Sequence, residues 1–82
     1  MKKKILIISG GISKERVISL DTGKQVAKEL VKNRYFVKIA EPDFTLINKI
    51  KSFKPNIIFN ALHGQFGEDG YIQTILETTG IP

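Results

Sequence analysis

The chain has 82 residues, 41% of them apolar and 26% charged, with a net charge of +5 and no cysteine. That is one small domain, able to bury roughly 60–65% of its unfolded surface. It excludes a disulfide framework, thiolate chemistry and a membrane span, since no apolar run approaches the ~20 residues a spanning helix needs. The basic balance raises a nucleic-acid partner. However, the lysines are scattered, the only run, Lys2-Lys3-Lys4, is terminal, and no aromatic side chains interleave with them. Solvated helix faces account for the charge, so the reading is no nucleic acid, no membrane and a cytoplasmic location. The basic start lacks the long apolar stretch and cleavage site of a secretory signal.

In chain order, residues 4–9 hold the continuous apolar run Ile5-Leu6-Ile7-Ile8, closed by Gly10-Gly11. This pattern predicts a strand buried on both faces. Ser13 is the candidate N-cap of a helix over residues 14–33, with Glu15 in its first turn. Leu20, Ala27, Leu30 and Val31 share one face of it, and Val17 and Val26 widen the stripe. Gly23 sits among them at a cost of about 1 kcal/mol relative to alanine, which close approach to a sheet would explain.

A second strand follows over residues 35–40. Asp43 then caps a helix over residues 44–53, with Leu46, Ile47, Ile50 and Phe53 at helical spacing, and Pro55 stops it. The third strand is residues 56–62. The third helix is residues 71–79, with Asp69 as its cap and Gly80 in the position after its C-terminus. Ile81-Pro82 begins a further segment. The order βαβαβα predicts an α/β Rossmann-like domain with a parallel sheet, in two or three layers.

Two glycine-rich loops leave the carboxyl ends of the first and third strands, the edge where open α/β sheets bind ligands. The first, Gly10-Gly11-Ile12-Ser13-Lys14-Glu15, is neither a dinucleotide fingerprint nor a P-loop. Glu15 is either an acid favoured near a helix start by the dipole or a carboxylate that meets a ligand. The second loop holds the only histidine, His63, followed by Gly64, Gly67, Glu68, Asp69 and Gly70. His63 is a structural residue or a reacting one. Gly67 and Gly70 are backbone-geometry residues, and no second histidine or cysteine supports zinc. No serine has a matched acid and base nearby in sequence, so residue chemistry alone points to a ligand-binding half-site.

The segments GGISKERVISLDTGKQV (residues 10–26) and FNALHGQFGEDGYIQTILETTGIP (residues 59–82) together resemble the two N-terminal signatures of the D-alanine–D-alanine ligases, ATP-grasp enzymes. The resemblance covers the whole chain. It implies a pre-ATP-grasp domain and an enzyme that joins two D-alanines through an acyl phosphate for peptidoglycan. It further implies that Glu15 holds the ammonium of the first D-alanine and that His63 lies near its reacting carboxylate. Gly10, Gly11, Ser13 and Gly64 would form the substrate-binding loops, with Ser19, Glu68, Asp69 and Gln73 in support. One departure is Val17-Ile18 after Arg16, where such ligases often carry an acid.

The family's nucleotide lysines, magnesium carboxylates and substrate-clamping arginine have no counterpart in these 82 residues. The chain therefore reads as an excised or truncated N-terminal domain. ATP and magnesium are expected on other domains and no cofactor or metal on this segment. Its partners are D-alanine, the rest of the ligase chain and a second copy in a homodimer. The alternatives are a stand-alone small-ligand module and a dimerisation module. A receiver domain fits poorly, because Gly10-Gly11 and His63 stand where it needs acids.

Overall fold

A computed structural model of the chain describes residues 2–11, 14–62 and 68–82, with the backbone alone for residues 68–73. The elements run β1 (Lys4–Ile8), α1 (Arg16–Lys32), β2 (Phe36–Ala40), α2 (Leu46–Phe53), β3 (Ile57–Asn60) and α3 (Glu68–Thr79). This is the expected βαβαβα order. The sheet is parallel with strand order β2-β1-β3. Ile8 pairs with Ala40 on one side and Asn60 on the other, so the three strands end level with one another.

The central strand explains its own composition. Ile5, Leu6, Ile7 and Ile8 are all buried, as a strand covered on both faces requires. Leu6 and Ile8 face one way and pack with Ala40, with Leu46, Ile50 and Phe53 of α2, and with Leu76 of α3. Ile5 and Ile7 face the other way and meet Val26, Ala27 and Leu30 of α1. The crossover from β1 to β2 and the one from β2 to β3 travel in opposite directions across the sheet. Crossovers of one hand then place α1 on one face and α2 on the other. Of the two layerings the sequence allows, the fold is the three-layer one.

Gly23 is buried where α1 crosses the sheet. A Cβ there would stand 2.8 Å from both Cβ and Oγ of Ser9. The close approach expected from the sequence is therefore present.

Four local expectations are corrected. The helix expected from Lys14 starts at Arg16, and its N-cap position is Glu15 rather than Ser13, which lies outside the described residues. Glu15 thus precedes the first turn instead of sitting in it. Val17 and Val31, placed on the inner face by periodicity, are 76% and 59% exposed, because Ser19 and Gly23 set the contact line. In α2 the cap position is Thr45, and Ile47 faces outward at 44% exposure. Asp43 works two residues earlier, accepting a hydrogen bond from the Thr45 amide at 2.8 Å. Finally, α3 begins at Glu68, so Asp69 lies inside the helix rather than capping it.

The helix ends agree with their sequence signals. Lys54 takes up a left-handed conformation before Pro55, and Gly80 does so after α3. The free side of β3 is engaged at Ile58, whose amide donates to the Pro82 carbonyl at 2.8 Å. Among the described residues no helix is long and apolar enough to cross a membrane.

Candidate functional site

The carboxyl edge of the sheet brings three strand exits together. After β1 the chain turns through Gly10 and Gly11, both at positive φ (96° and 87°), a conformation that favours glycine. β2 exits directly into Glu41. β3 exits into Ala61, whose amide extends the ladder by donating to the Ile8 carbonyl at 2.8 Å.

The start of α1 ties these exits to one another. The Ser19 hydroxyl accepts a hydrogen bond from the Gly10 amide at 2.9 Å and donates one to the Ala61 carbonyl at 2.8 Å. Ser19 is fully buried, so both bonds form away from water. One side chain therefore holds the first glycine loop against the base of the second, across 42 positions of sequence.

Arg16 makes the companion link. Its guanidinium forms a two-pronged ion pair with Glu41, with Nη2 at 2.8 Å from Oε2 and Nη1 on Oε1. Nη1 also donates to the Gly11 carbonyl at 2.9 Å. The Gly11 amide in turn donates to Glu41 Oε1 at 3.4 Å. The hydrogen bond from Arg16 holds the Glu41 carboxyl below its ordinary pKa, and Glu41 raises that of Arg16. Neither residue stood out in the sequence as a site residue. Arg16 lay inside the family-like segment, but Glu41 is 25 positions away, in a strand–helix connection without a motif.

The residues expected at the site divide as follows. Gly10, Gly11, Glu15 and Ser19 gather at this edge. Glu15 is exposed at the cap position, where its carbonyl accepts the Ser19 amide at 2.9 Å. Ser13, His63 and Gly64 lie outside the described residues. Glu68, Asp69 and Gln73 belong to α3, with only their backbone described. Among the described residues no three potential metal-ligating side chains lie together.

A cleft of about 420 Å³ between α2 and α3 lies at the opposite edge of the sheet, beside Lys54 and Pro55. Its walls are largely Ile47, Ile50, Ile75 and Ile81, without an acid–base pair, so it is not the site described above.

The fold agrees with the comparisons with known proteins. The chain is 77% identical over 82 residues to a D-alanine–D-alanine ligase of Pelagibacter ubique, covering 100% of this chain and 27% of that one. It is 46% identical over 81 residues to the Clostridium botulinum enzyme of the same name, covering 26% of it. Among solved structures, the Bacillus anthracis D-alanine–D-alanine ligase complexed with ATP superposes with a TM-score of 0.75 at 35% identity, over 98% of this chain and 28% of that one. The chain thus spans about a quarter of the length of the curated relatives it matches. No family model matches it.

Proposed function

We propose, for a chain that has the sequence and fold of the N-terminal part of D-alanine–D-alanine ligases, that its carboxyl-edge loops form the wall of the pocket for the first D-alanine. The observation that carries this reading is the Ser19 bridge, which joins the loop leading to Glu15 with the strand leading to His63. The relatives' names supply the substrate.

In this reading Glu15 accepts the ammonium of the first D-alanine by a charge-assisted hydrogen bond. His63 donates a hydrogen bond where negative charge grows on the reacting carboxyl group. The carboxylate attacks the γ-phosphorus of ATP, the bond to ADP breaks, and D-alanyl phosphate forms. The amine of the second D-alanine then attacks the carbonyl carbon. Phosphate leaves with the bonding pair, the nitrogen loses a proton, and the dipeptide serves peptidoglycan synthesis. ATP and magnesium supply the activating phosphoryl group and its charge neutralisation from parts of the ligase other than these 82 residues, and the 82 residues alone do not ligate.

Glu15→Gln in the ligase chain that contains this segment tests the reading. It should raise KM for the first D-alanine about 10- to 100-fold while KM for ATP holds, as expected for loss of one charge-assisted contact. An unchanged D-alanine KM would sink the assignment. ATP-dependent dipeptide formation by the 82-residue chain alone would contradict the division of labour.

A further inference from the structure

We propose that Arg16 and Glu41 are a positioning pair that fixes the Gly10–Gly11 turn, and through it the Glu15 carboxylate, in the conformation that receives the substrate ammonium. This rests on the role given to Glu15 above.

Three of the four backbone hydrogen-bonding groups of the turn are held by side chains. The Gly10 amide is bound by Ser19, the Gly11 amide by Glu41 and the Gly11 carbonyl by Arg16. Glu41 also forms the floor beneath Gly10, where a Cβ would come within 2.6 Å of Oε1. The turn thus rests on a carboxylate from β2's exit, and the guanidinium beside Glu15 in the chain locks that carboxylate in place.

The pair is poorly placed to serve stability alone. The two side chains are 43% and 39% exposed, and exposed ion pairs contribute little to folding. A forked guanidinium–carboxylate contact instead supplies direction, because both prongs must align.

The test is steady-state kinetics and thermal unfolding of the ligase chain that contains this segment, for Glu15→Gln, Glu41→Gln, Arg16→Lys and Arg16→Met with Glu41→Gln. Glu41→Gln should raise KM for D-alanine about tenfold, with KM for ATP and the unfolding temperature unchanged. Arg16→Lys keeps the charge but loses the fork, and should give a smaller rise in the same constant. Adding Arg16→Met to Glu41→Gln should change D-alanine KM less than about twofold further, since one coupled contact is already broken.

If Glu41→Gln leaves D-alanine KM alone while Glu15→Gln raises it, the positioning role is overturned and the pocket stands. If Glu41→Gln lowers the unfolding temperature and shifts both KM values together, the pair is structural and the proposal fails. If Glu15→Gln binds D-alanine as the wild type does, the pocket reading falls and this inference with it. Should Glu41→Gln not fold, Arg16→Lys alone decides: a raised D-alanine KM with unchanged ATP KM supports the role, and unchanged constants refute it.

Discussion

The hydroxyl of Ser19 donates to the carbonyl of Ala61 at 2.8 Å while accepting the amide of Gly10 at 2.9 Å. Removing it leaves two buried backbone groups without their partner. Ser19→Ala should therefore lower stability by about 1–3 kcal/mol, within the range for orphaned buried polar groups. Thermal or urea unfolding of the purified protein measures this, and an unfolding midpoint equal to wild type would deny the bridge.

Gly23→Ala sets helix propensity against space. Alanine gains about 1 kcal/mol over glycine within a helix. Its Cβ, however, would stand 2.8 Å from Ser9 Cβ, so α1 must lift from the sheet. The net expectation is a loss of about 1–3 kcal/mol, as for other overpacked contacts. Ser9→Gly in the same protein should restore part of that loss. A stabilised Gly23→Ala single variant would show that the contact is looser than described.

Ser9 itself makes the opposite case. Its Oγ is buried and has no hydrogen-bond partner among the described residues. Ser9→Ala removes an unsatisfied hydroxyl and keeps the Cβ. Stability should hold or rise by up to about 1 kcal/mol. A clear fall in the unfolding temperature would mean that the hydroxyl is bonded after all.

The Arg16–Glu41 pair gives a pH signature with a definite sign. The hydrogen bond from Arg16 depresses the Glu41 pKa in the folded state below its ordinary 4.5. Any stabilisation from the pair is therefore fully present above that ordinary value. It is lost as pH falls through the depressed one. Because both side chains are partly exposed, the effect is small. Unfolding temperatures of wild type and Glu41→Gln should differ at most marginally near neutral pH, and that margin should vanish as pH falls through the depressed value. A difference that grows on acidification would reverse the assignment.

Much of the fold was legible because it rests on local patterns. The run Ile5 to Ile8 could only be a strand covered twice, and Pro55 and Gly80 fall where helices must stop. The alternation of elements implied the parallel sheet and placed the strand exits that lead to the glycine loops at one edge. What escaped was set by contacts between distant residues. Val17 and Val31 follow the helical period, yet the line on which α1 lies is fixed by the small residues Ser19 and Gly23, which hydrophobic periodicity overlooks. Glu41 carries no local mark at all. It matters only because β2 ends beside the Gly10–Gly11 turn, a fact of topology and not of spacing. The position of Glu15 before the first turn likewise depends on where the helix begins, the least certain feature of any pattern-based reading.

Glu15, Ser19 and Gly23 recur at a four-residue interval along α1, on one stripe of the helix. The stripe starts at a carboxylate that meets solvent, passes through the buried bridge and ends where the helix touches Ser9. α1 therefore behaves as a pointer pivoted at its middle. Its tip lies ~12 Å from the pivot. On the role proposed for Glu15, a bulkier residue at the pivot would tilt the tip, and a change far from the proposed pocket would appear in kinetics as a misaimed carboxylate.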